Sequence, residues 1–119
     1  DFGGAWLLPR LIGLHRAKEL ALLAEVVPAS EAERLGLVNR VVAPEELDGV
    51  VDDWASRLAA GPPIALTQTK RMLNRAVESS WEAMLDAEGT AQAVNFSTRD
   101  TVEAMTAFFE KRDPTFEGR

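Results

Sequence analysis

An aspartate ahead of two glycines is the first group along this chain with a claim to chemistry. Asp1 precedes Phe2-Gly3-Gly4 and then an apolar segment, Ala5-Trp6-Leu7-Leu8. A carboxylate beside a tight turn and an apolar wall loses part of its hydration, which raises its pKa towards the range useful for proton transfer. The same spacing also fits a plain loop or capping aspartate. His15, the single histidine, has no acidic partner and serine at a spacing that makes a triad, and it reads as a structural or surface residue. With no cysteine in the chain, disulfides, thiolate metal sites and a cysteine nucleophile are excluded. Glu45-Glu46 and Asp52-Asp53 are adjacent pairs on helices and point in different directions. A hard-ion loop needs alternating oxygen ligands around a glycine turn, so no metal is expected. Gly3-Gly4 lacks the third glycine of a phosphate-binding fingerprint. No complete catalytic constellation is present in these residues.

Composition sets the wider frame. A chain of 119 residues, 46% apolar and 27% charged, has the balance of one globular domain or part of one. The net charge of −6, with 13 scattered Lys and Arg, lacks the basic stripe of a nucleic-acid binder. No apolar run approaches the roughly 20 residues needed to span a membrane, and a cytoplasmic protein is expected. Asp1-Phe2-Gly3-Gly4 has no initiating Met, basic region or apolar signal core, so a preceding segment is expected.

The elements that must position any site are mostly helices. The pattern predicts a short helix over 5–12, a helix over 14–24 that is apolar on most faces and therefore deeply buried, and another over 30–35 closed by Gly36. Leu37-Val38-Asn39-Arg40-Val41-Val42, rich in β-branched residues and ended by Pro44, reads as a strand or strand-like stretch. Leu47, Val50, Val51, Trp54 and Leu58 fall on one face of a helix that Gly61-Pro62-Pro63 stops. A helix over 64–78 comes after it. Ser79 with Glu82, and Asp100 with Glu103, read as capping boxes that open two more helices.

Four motifs, taken in order, resemble the crotonase family of enoyl-CoA hydratases and isomerases. They are Asp1-Phe2-Gly3-Gly4-Ala5-Trp6-Leu7-Leu8-Pro9-Arg10-Leu11-Ile12-Gly13, then Gly36-Leu37-Val38-Asn39-Arg40-Val41-Val42, then Ala60-Gly61-Pro62-Pro63-Ile64-Ala65 with Lys70, and finally Ala107-Phe108-Phe109-Glu110-Lys111-Arg112 with Pro114 and Phe116. The resemblance covers essentially the whole chain. It implies an α+β crotonase-like spiral, of which residues 1–44 are the end of the ββα core and residues 45–119 the mostly α-helical trimerisation region. The first motif is similar in particular to that of ring-modified phenylacetyl-CoA isomerases.

For function, the resemblance implies an acyl-CoA thioester as substrate, with coenzyme A part of that substrate and no separate cofactor, and a homotrimer or hexamer. It makes Asp1 a proton shuttle, and it sets Phe108 against the adenine and Lys111 against the ribose phosphate of coenzyme A. The residues alone favour Phe108 as core and Arg10 as a structural ion-pair partner, and leave Lys111 open between a solvated helix-end charge and a ligand contact. The family's oxyanion donors and hydratase glutamates belong to segments upstream of Asp1, so the segment alone is expected to be catalytically incomplete. Pro28, Ala24-Glu25, and Val102 with Ala104 depart from the family's usual residues. The alternative reading is a non-catalytic helical self-association module.

Overall fold

The computed structural model describes residues 2–119. They contain seven α-helices: α1 (Gly4–Ile12), α2 (Leu14–Leu23), α3 (Ala29–Leu35), α4 (Leu47–Ala59), α5 (Pro63–Ala76), α6 (Trp81–Phe96) and α7 (Arg99–Glu110), with a 3₁₀ turn at Pro44–Glu46 leading into α4. The chain divides into two compact units, one ending at Leu47 and the other spanning Asp48–Arg119.

In the first unit α1 packs on α2. Gly13, at φ 81°, makes the break between them, a backbone angle that a residue with Cβ adopts only under strain. Pro9 lies inside α1 rather than in its first turn. The helix α2 departs from expectation. It is apolar around much of its circumference, yet only Ala17 is buried, while Leu14, Leu22 and Leu23 face outward. Composition states what a helix would gain from burial; no described residue supplies the cover.

The expected strand over 37–42 is not a strand, and no strand occurs among the described residues. A ladder needs free amides, and here α3 takes several of them. After the left-handed turn at Gly36, the N–H groups of Leu37 and Val38 both donate to the Ala32 carbonyl, at 2.8 and 3.4 Å. The N–H of Val41 donates to Oε1 of Glu33 at 2.9 Å. The segment is tied back to its own helix.

The second unit is an array in which α6 packs against both α5 and α7. An Asn95 Nδ2 to Gln68 Oε1 bond of 2.6 Å joins α6 to α5. The stop after α4 and the start of α5 agree with the sequence: Pro62 is the N-cap and Pro63 the first helical residue, where a missing N–H costs nothing. Both capping boxes need correction. Ser80, not Ser79, caps α6, accepting from the Ala83 N–H at 3.2 Å, while the Ser79 hydroxyl donates to the Arg75 carbonyl. Thr98, not Asp100, caps α7, accepting from Thr101 N–H at 3.2 Å. Asp100 and Glu103 are thereby free to bind something else.

That something is the end of the chain. Lys111 adopts a left-handed conformation, φ 57°, and reverses the backbone so that residues 112–119 run back along α7. Buried Asp100, 5% exposed, receives the N–H groups of Glu117 and Gly118 at 2.8 and 2.9 Å. The Arg99 N–H donates to the Arg119 carbonyl at 2.6 Å.

Candidate functional site

Phe108, Phe109 and Lys111 fall within four residues where α7 ends. Phe108 is 79% exposed and Phe109 77%, which corrects the reading of Phe108 as core. Their rings meet edge to face, with centroids 5.8 Å apart and planes at 75°. Ala107, on the opposite side of the same turn, is 1% exposed and anchors the helix. The turn itself is closed by backbone bonds from Lys111 N–H to Phe108 O at 3.3 Å and from Arg112 N–H to Ala107 O at 3.1 Å. The Lys111 backbone is thus pinned to Phe108, three residues away. A flat ring beside a cation offers a stacking surface and a point charge, the requirements of a nucleotide with a phosphate.

Directly after the reversal, Arg112 ties the tail to α7. Its Nη1 and Nη2 donate to the two oxygens of Glu103 at 2.6 and 2.9 Å, and its Nε to Glu110 Oε2 at 2.7 Å. The Thr115 N–H adds a bond to Glu103 Oε1 at 2.9 Å. These donors, the Arg112 guanidinium first and the Thr115 amide second, hold the Glu103 carboxyl down from 4.5 to about 2. They give the tail a defined acid sensitivity. A carboxyl whose pKa is lowered on folding stabilises the fold fully above its unfolded value and loses that contribution as pH falls through its folded value. The Glu103–Arg112 contribution should therefore be complete above about pH 4.5 and vanish towards pH 2. Thermal melts across that window should fall more steeply for the unaltered protein than for Glu103→Gln. Parallel acid profiles would show the pair to contribute nothing.

The remaining candidates lie apart from this cluster. Asp1 lies outside the described residues. His15 is exposed on α2. Arg10 forms no ion pair among the described residues, contrary to expectation. Its guanidinium stacks 3.9 Å from the Trp6 ring centroid and donates to the Trp6 carbonyl at 2.8 Å. Among the described residues no three His, Asp or Glu side chains converge as metal ligands, and no helix is long and apolar enough to cross a membrane. A half-open groove of about 360 Å3 between α5, α6, α7 and the tail is lined by Ala65, Met72, Asn95, Asp100 and Phe116 among others. Every buried side-chain polar atom described already has a partner, so the groove presents no group waiting for a ligand. Glu103, Arg112 and Asp100 were missed as parts of the site because their signal is long-range. Pro114, two residues past Arg112, was the local hint that the chain turns back.

The sequence of residues 1–119 matches the family described as enoyl-CoA hydratase/isomerase over its full extent. Among curated relatives, it is 40% identical over 111 residues to the short-chain-enoyl-CoA hydratase of Clostridium acetobutylicum, covering 93% of this chain and 42% of that protein. It is 36% identical over 119 residues to the 1,2-epoxyphenylacetyl-CoA isomerase of Escherichia coli K12, covering all of this chain and 45% of that protein. The crystal structure of enoyl-CoA hydratase from Bacillus anthracis superposes with a TM-score of 0.94 at 35% identity, over 98% of this chain and 45% of that one. The chain thus spans a little under half the length of each of these three relatives.

Proposed function

Because this chain belongs to the enoyl-CoA hydratase/isomerase family, whose fold it shares over its whole extent, we propose that it binds the nucleotide end of an acyl-CoA thioester as part of a hydratase or double-bond isomerase. Phe108 stacks on the adenine and Lys111 meets the ribose phosphate. Coenzyme A is carried by the substrate, and no separate cofactor takes part. The observation that carries this reading is the exposed pair of rings at the helix end, followed three residues after Phe108 by an exposed lysine that has no ion-pair partner among the described residues. An apolar ring left open to water at a helix end is unfavourable unless something covers it.

The rest of the reaction keeps to the family pattern: two backbone N–H groups outside these residues stabilise a thioester enolate oxygen, and Asp1 moves a proton to or from the adjacent carbon. The segment alone is catalytically incomplete on this reading. The exposed apolar faces of α4 (Leu47, Val51, Trp54, Leu58) and α7 (Val102, Met105) are covered by other parts of a trimer or hexamer, and the protein acts in the cytoplasm.

Lys111→Ala in the intact protein tests the assignment. Coenzyme A binding should weaken by about 1 to 3 kcal/mol, the range for one hydrogen bond to a charged group. Binding of a pantetheine thioester, which has no ribose phosphate, should hardly change. Rising salt should weaken the first and spare the second, because an exposed phosphate contact is screened. Calorimetric titration of both ligands decides it, and an equal loss for the two would remove Lys111 from the site.

A further inference from the structure

Lys111 sits in a crowd of charge. Its neighbours in sequence are Glu110 on one side and Arg112 and Asp113 on the other. An ammonium on a flexible stem so close to two carboxylates would ordinarily spend its time on one of them, and a phosphate would have to displace it. The fold removes the nearer competitor. Glu110 is occupied by Arg112 Nε at 2.7 Å, while the other end of the same guanidinium lies on both oxygens of Glu103, nine residues back along α7. A planar fork fixed at Nε and at both terminal nitrogens cannot rotate away without breaking all three bonds. It also anchors the peptide just beyond Lys111, and with it the left-handed turn.

We infer that the Glu103–Arg112–Glu110 cluster is a positioning device for Lys111, drawing Glu110 away from its ammonium and fixing its backbone so that it meets the phosphomonoester of the ligand. The inference rests on the reading of Lys111 as the phosphate contact. Glu103 and Arg112 touch no ligand atom in this scheme. Their effect passes through Lys111.

The sign of one substitution separates this role from simple electrostatics. Glu103→Ala deletes a negative charge near a phosphate site, which by Coulomb attraction alone would tighten coenzyme A binding. A positioning role has the opposite sign. Coenzyme A affinity should fall about threefold to tenfold, the scale of coupling between residues in one ion-pair network. Affinity for coenzyme A lacking its ribose phosphate should stay unchanged. In the Glu103→Ala/Lys111→Ala double variant, the losses should not add, since both act through one ammonium. Glu103→Gln, which keeps an acceptor for the Thr115 N–H, is measured alongside and supplies the answer if the alanine variant does not fold. Unchanged or tighter binding, equal loss for both ligands, or additive losses would overturn the inference while leaving Lys111 in the site. No selective loss in Lys111→Ala itself would overturn the phosphate contact and the inference together.

Discussion

Asp1→Ala is expected to lower double-bond isomerisation by about 100-fold to 10,000-fold, the usual range for removing a positioned general acid or base. Asp1 lies outside the described residues, and its role rests on the motif from Asp1 to Arg10. The test needs two reactions in the intact protein: isomerisation of a β,γ-enoyl thioester and hydration of crotonyl-CoA. A proton shuttle for isomerisation should leave hydration much less affected, because on the family pattern the water-handling glutamates are separate groups. Asp1→Asn should behave like alanine in turnover, since an amide cannot carry the proton. A loop or capping aspartate predicts the reverse pattern, with turnover nearly intact, asparagine tolerated and the loss appearing in thermal stability. That outcome would end the catalytic assignment.

The largest stability effect is expected at Asp100. Alanine there removes the acceptor of two N–H bonds, from Glu117 and Gly118, on a side chain that is buried. At about 1.5 to 3 kcal/mol for each hydrogen bond to a charged acceptor, with partial recovery by water, a loss of about 3 kcal/mol is expected. Asparagine keeps one carbonyl oxygen and should lose about half of that. Chemical denaturation gives the magnitude, and amide hydrogen exchange at Glu117 and Gly118 gives the place. If Asp100→Ala costs less than about 0.5 kcal/mol, the level of an ordinary surface substitution, the tail is not held there.

These two sites differ in how far the sequence betrays them. The helix α4 was legible because its signals are local: apolar residues on one face, acidic residues at its start and a Gly-Pro-Pro stop. The capping errors have a physical origin too. Ser79 and Ser80 are adjacent and chemically alike, so spacing alone does not choose between them. Asp100 and Glu103 fit a local capping pattern, but their carboxylates bind amides 17, 18 and 12 residues further on. Val38, Val41 and Val42 carry a genuine strand preference, yet preference does not supply a partner edge, and Ala32 and Glu33 claimed the amides of Val38 and Val41 first. Phe108 is a similar case. Its side chain declares that burial is favourable and says nothing about what provides it. Neither Phe108 nor Lys111 stood out on its own residues as a coenzyme A contact, and Asp1 drew notice as a candidate proton-transfer group only alongside a plain capping role; the ordered motifs tipped all three.

The left-handed angle at Lys111 sets a trap for protein engineering. A residue with Cβ in that conformation carries a strain of about 1 to 2 kcal/mol that glycine avoids. A library ranked by melting temperature will therefore enrich glycine or asparagine at this position, and its most heat-resistant members will be those that have discarded the ammonium. If Lys111 holds the phosphate as proposed, selection for robustness alone would erode coenzyme A affinity without any visible damage to the fold, and screens on this scaffold would then need a thioester-binding step in every round.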